Sequence, residues 1–245
     1  MWTEEEGEEM FEPGTNAKHG WRMTLRCLTG VGLAMLIAGA ASAQQHPDLS
    51  GYWELRYDSF NVPQASVTPG TLAGAAVQIR HDIEAVRWCD PIGMPAIMGD
   101  RAPIDLRQSA SVIGIVAKAQ SSERYIYLDG RKHPEEDELD PTTNGHSIGQ
   151  WEGDTLVVDT IGFNGRGVTR LPGGGVRTST SHLTEHYRLM GNGQRLDVTF
   201  TWEDVNVFTK PHTYEFRYYR IPEISDPRML PLARRAFLPG LRDFW

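Results

Sequence analysis

From about Ile104 onward the chain is a succession of short β-prone runs: VIGIVAK, RYIYLDG, HSIGQW, DTLVVDTIGF, HLTEHYRLM, QRLDVTFTWED and HTYEFRYYRI. Turn signals separate them at Asp129-Gly130, Glu152-Gly153-Asp154 and Gly191-Asn192-Gly193, where Asp side chains bond nearby backbone and Gly supplies positive φ. With the earlier run from Tyr52, seven or eight strands joined by turns predict an antiparallel meander. The expected fold is mainly β, a lipocalin-like β-barrel with one N-terminal helix; a β-sandwich is the alternative. The helix is expected near residues 71–89, where Leu72, Ala76, Ile79, Ile83 and Val86 recur at spacings of three and four. Asp90-Pro91 should end it, because the residue before proline is pushed out of the α region.

The strands belong to one domain, expected over residues 44–221, with flanking segments of different character. Residues 1–43 hold an acidic stretch and then the uncharged run Cys27 to Ala43, preceded by Arg22 and Arg26 and ending Ala41-Ser42-Ala43. That order fits a signal peptide cut before Gln44, with translation expected to start at Met23 and the product periplasmic or secreted. No stable membrane anchor is expected after cleavage. The mature chain would keep one cysteine, Cys89, which cannot form an internal disulfide and should be shielded. Residues 222–245 form a tail rich in Pro and Arg. With 24 Lys and Arg against 32 Asp and Glu, the chain lacks the basic balance that nucleic-acid binding requires.

Strand periodicity sorts the polar residues onto faces. In HLTEHYRLM, Leu183, Glu185, Tyr187 and Leu189 share one face and His182, Thr184, His186 and Arg188 the other. Glu185 is then an interior carboxylate on an apolar face, where lost hydration favours the protonated form of a general acid. A structural ion pair with a buried Arg is the competing role. Phe200 and Trp202 lie on the inner face of the next strand and suggest a wall for an apolar ligand. Asp159 shares a face with Thr155, Val157 and Ile161 and is a second candidate interior carboxylate. Asn144 and His146 stand where the long polar loop GRKHPEEDELDPTTNG enters a strand, and His133 lies within that loop. A histidine at a barrel mouth suits proton transfer, because its ordinary pKa is near 6.5.

HLTEH matches the H-x-x-E-H pattern of inverted zinc peptidases at His182, Glu185 and His186. That chemistry needs a helix to bring both histidines to one face. On a strand Glu185 points away from them, so no metal site is expected.

CDPIGMPAIM, YIYLDGRKHP, NGHSIGQWEGDTLVVDTIGFN, LTEHYR and EDVNVFTKP, occurring in order between Cys89 and His212, resemble a mostly uncharacterised family of secreted bacterial proteins. The chain departs from that pattern at Asp204-Val205, where Asp-Pro is frequent, and at His212, where Trp is. Such chains are similar to the α-pinene oxide lyases, which open a terpene epoxide without a cofactor.

The resemblance implies a secreted, cofactor-independent lyase, isomerase or epoxide-opening enzyme acting on a small apolar molecule such as a terpenoid epoxide. Glu185 or Asp159 would carry the proton, with Tyr187 and His146 orienting the substrate oxygen and Asn144, His133, Phe200 and Trp202 contacting the substrate. The alternative is a barrel that binds or carries a small apolar ligand.

Overall fold

The computed structural model describes residues 46–56, 61–87, 91–100, 102–117 and 122–222. The expected signal segment, Cys89 and the tail beyond Pro222 lie outside the described residues. Nine strands form a closed barrel: β1 Gly51–Leu55, β2 Ile104–Gln108, β3 Val112–Ala117, β4 Ser122–Tyr127, β5 His146–Glu152, β6 Thr155–Ile161, β7 His182–Met190, β8 Arg195–Glu203 and β9 His212–Ile221. Helix α1, Pro69–Arg87, stands between β1 and β2. β1 closes the barrel on β9, with Tyr52 opposite Ile221 and Leu55 opposite Tyr218.

Two features depart from the expected meander. β2 was not among the expected strands; its IDLRQ places Ile104, Asp105 and Leu106 all in buried positions, so alternation is lost there. The pair β4–β5 is parallel, with Ile126 opposite Ser147. A parallel pair cannot be joined by a tight turn. The polar segment 128–145 therefore serves as a crossover, returning from the end of β4 to the start of β5. It pairs near its end with the loop after β6, through Thr142 and Phe163. Leu139 sits so close to Gly162 (φ 71°) that a Cβ there would lie 2.8 Å from its Cδ2.

Elsewhere the alternation reads through directly. β7 buries Leu183, Glu185 and Tyr187, and β8 buries Leu196, Val198, Phe200 and Trp202. Phe200 packs on Tyr214 and Phe216, and the Trp202 indole donates to the Tyr214 hydroxyl at 3.1 Å. Met94, Ile97 and Met98, from the segment before β2, join the same core, and Met98 O accepts from the Tyr218 hydroxyl at 2.6 Å.

Helix α1 corrects the expected inner face. Leu72 is 65% exposed, and Ile79 and Ile83 are exposed as well. The buried positions are Asp82 and Ala85. Asp82 Oδ1 accepts from Thr169 N (3.1 Å), Thr169 Oγ1 (3.2 Å) and Gln78 Nε2 (3.0 Å), and its Oδ2 accepts from Arg170 Nε (3.2 Å) and N (3.3 Å). A polar lock fastens the helix, and of the expected apolar stripe Val86 packs against Ile92, Ala96 and Val168.

Candidate active site

Alternation along β4 sends Arg124 and Ile126 inward. Arg124 is 2% exposed and Glu185 0%. The two meet in a bidentate pair, Nη1 donating to Oε1 at 2.9 Å and Nη2 to Oε2. The remaining guanidinium directions are also used: Nε donates to Ser147 Oγ at 3.2 Å and Nη2 to Thr160 Oγ1 at 3.0 Å. Tyr187 donates its hydroxyl to Glu185 Oε1 at 2.8 Å. Burial opposes the charge of Arg124, but the adjoining Glu185 carboxylate more than offsets this and holds its pKa above the ordinary value. Burial, then the Glu185 charge, pushes the Tyr187 phenol well up. A carboxylate with both oxygens engaged by a cation is a structural anchor. The geometry therefore does not support Glu185 as a proton donor or Tyr187 as a substrate partner. Phe200 and Trp202 likewise lie in ring-packed core at 0% exposure.

Asp159 is on the other side of the wall. β6 buries Leu156, Val158 and Thr160, so Thr155, Val157, Asp159 and Ile161 form its outer row. The expected interior position is thus corrected, because the face shared by Val157 and Ile161 is the one covered by the crossover. That crossover lays His133 against the wall, and His133 Nε2 meets Asp159 Oδ2 at 3.0 Å. His133 Nδ1 lies 2.8 Å from Nδ1 of His146, at the start of β5. The second oxygen of Asp159 is held by His182 Nε2 from β7, and His182 Nδ1 is 3.7 Å from Glu203 Oε2. The His146 ring stacks on Tyr127 at 5.4 Å, and the Arg131 guanidinium covers Tyr127.

The contacts admit one arrangement with both rings neutral. In it His133 donates Nε2–H to Asp159 and accepts at Nδ1, so His146 carries its proton on Nδ1 and presents a lone pair at Nε2. Among the described residues nothing bonds that Nε2. Burial, followed by the neighbouring His133 and Arg131, lowers the His146 pKa and favours this neutral form. The Asp159 carboxyl is lowered, chiefly by the His182 bond, and the same bond raises His182 against its partial burial. Asp159–His133–His146 is therefore a hydrogen-bonded relay that ends at a free imidazole nitrogen. Taking a proton at His146 Nε2 lets the Nδ1 proton pass to His133, whose imidazolium then faces the Asp159 carboxylate.

Three of the residues singled out in the sequence, Asp159, His133 and His146, are thus brought together. Asn144 lies at the rim between β4 and β5, donating from Nδ2 to Glu123 O at 2.7 Å. Two residues the sequence reading missed as site residues are Arg124, legible as the partner of Ile126 on an inward face, and His182, placed on the outer face of its strand and in a metal pattern but given no role at the site. In β7 His182 and Glu185 fall on opposite faces, as the strand reading requires. No protein-family model matches the chain, and none of the curated proteins matches it.

Proposed function

We propose that the protein is an acid–base enzyme acting on a small apolar molecule, with His146 as the proton carrier. The observation that carries this reading is the Asp159–His133–His146 relay, which ends at an imidazole nitrogen with no hydrogen-bond partner among the described residues. Such a relay keeps the base neutral at rest and stabilises its charge once a proton arrives. Ile148, Val157 and Ile161 are half-buried on the same outer wall and supply an apolar bed beside the polar chain. The matching reaction moves a proton from carbon to oxygen: His146 Nε2 removes a C–H proton next to a strained or polarised C–O bond, the bond opens, and the imidazolium returns the proton to that oxygen. Opening of an epoxide to an allylic alcohol is a reaction of this kind, in keeping with the resemblance of the motifs.

The test is incubation of the mature protein with a panel of terpenoids and epoxides, read by gas chromatography. On any substrate turned over, His146→Gln should lower kcat by ~10²- to 10⁴-fold, and Asp159→Asn should lower it without abolishing binding. Activity should fall as pH drops through a value below 6.5, where His146 takes up its proton. A substrate turned over equally by His146→Gln would overturn the assignment.

A further inference from the structure

The polar lock of Asp82 leaves one flank of α1 facing the glycine turn Leu171–Val176 across a cleft of about 240 Å³. Its walls are apolar: Val67, Leu72, Ala75 and Ile79 on one side, Leu171 and Val176 on the other. Backbone bonds hold the turn: Leu171 N–H donates to Gly175 O at 3.1 Å, Gly174 N–H to Leu171 O at 3.0 Å and Ala65 N–H to Gly173 O at 2.8 Å. Gly173, Gly174 and Gly175 have φ of 78°, 110° and 89°, a region L side chains rarely adopt. A Cβ on Gly175 would also strike the Phe208 ring at 2.4 Å. The cleft is therefore preformed rather than shaped by what enters it.

Its polar groups are few: Thr71, Gln78 and Arg170 have partners, and Gln64 is exposed beside Gly174. Thr71 Oγ1 donates to Val207 O at 3.3 Å, Arg170 is paired with Asp82, and the Gln78 amide nitrogen serves Asp82. The carbonyl oxygen of the Gln78 side chain has no partner among the described residues, so with the exposed Gln64 amide it leaves the cleft open acceptors. Because the Arg170 charge is already met by Asp82, nothing in the cleft calls for a charged ligand. An apolar cavity of ~150 Å³ takes benzene, so this volume suits a somewhat larger ring.

We infer that the cleft is a binding site for a compact, uncharged, mainly apolar molecule bearing one hydroxyl group, which donates to the amide oxygen of Gln78 or Gln64 while its body covers Leu72 and Ile79. The volume and the small number of open polar groups select a small molecule over a peptide, whose backbone would bring many polar groups into apolar walls. The site shares no residue with the imidazole relay and stands independently of it.

Methyl-labelled protein titrated with benzyl alcohol, cyclohexanol and benzoate tests the inference by NMR. The two alcohols should give saturable shifts confined to the Leu72, Ile79, Leu171 and Val176 methyls, with benzoate at least tenfold weaker. Ala75→Trp, on an exposed helical position, fills the cleft and should abolish those shifts, and Leu72→Asp should weaken them at least tenfold. His146→Gln should leave them unchanged, which separates this site from the relay. Shifts that fail to saturate, that scatter over the surface, that survive Ala75→Trp, or that appear equally with benzoate would each overturn it.

Discussion

Replacing Glu185 by Gln should cost stability before anything else. The Gln side chain keeps one acceptor for Arg124, but its amide NH₂ then faces a guanidinium N–H, and the cation loses its counter-charge at 2% exposure. Removing one partner of such a pair costs ~3–5 kcal/mol, because the surviving charge stays buried. For a domain of this size, each kcal/mol lowers Tm by ~2–4 °C, so the variant should melt ~6–20 °C below wild type. Calorimetry or thermal denaturation by circular dichroism at neutral pH reads this directly. Removing the whole network with Arg124→Met, Glu185→Leu and Tyr187→Phe leaves no buried charge at that place, and Ser147 and Thr160 still bond each other at 3.0 Å. That triple variant should therefore melt above Glu185→Gln. A Glu185→Gln protein that melts with wild type would refute the anchor and return Glu185 to the list of proton donors.

Four further outcomes follow from the outer wall and the helix. The Asp159 carboxyl is lowered, so its stabilisation is present above 3.8 and is lost as pH falls through the lower folded value; His182 is raised, so its stabilisation is present below 6.5 and is lost as pH rises through the higher folded value. The melting difference between wild type and His182→Gln should therefore be largest between those two ordinary values and shrink on either side. Gly162→Ala should destabilise by ~1–3 kcal/mol in urea denaturation, because it strains a positive φ and pushes Leu139 off the wall. Asp82→Ala strips five donors of their acceptor and should cost at least ~2 kcal/mol, with hydrogen exchange accelerating in α1 first. Ile83→Glu, on the exposed flank, should stay within ~0.5 kcal/mol of wild type.

The barrel was legible because β7, β8 and β9 alternate cleanly, and each residue's face follows from its position in the run. β2 was missed because Ile104, Asp105 and Leu106 are buried in succession, leaving no period of two to recognise. Helix α1 was placed within two residues, yet its face was misread: hydrophobic spacing marks a helix but does not reveal that Asp82 has a fully bonded berth on the loop at Thr169 and Arg170. For the site, β6 alternates apolar residues on both faces, Leu156 and Val158 inward, Val157 and Ile161 outward, so composition could not say which side held Asp159. What decides it is the crossover, whose course is a tertiary fact. Glu185 was correctly placed inside, but its role turned on Arg124, a cation distant in sequence on an otherwise apolar face.

The closure of β1 on β9 has a consequence for synthesis. The ribosome delivers Tyr52 early and Ile221 some 170 residues later. Throughout that interval the growing sheet has two open edges, with the backbone of β1 on one side and the newest strand on the other, each able to pair with another chain. The nascent protein is therefore most exposed to self-association just before its last strand emerges. A chain stopped short of His212 would lack the strand that joins both edges, and would persist as a sticky open sheet rather than a smaller barrel.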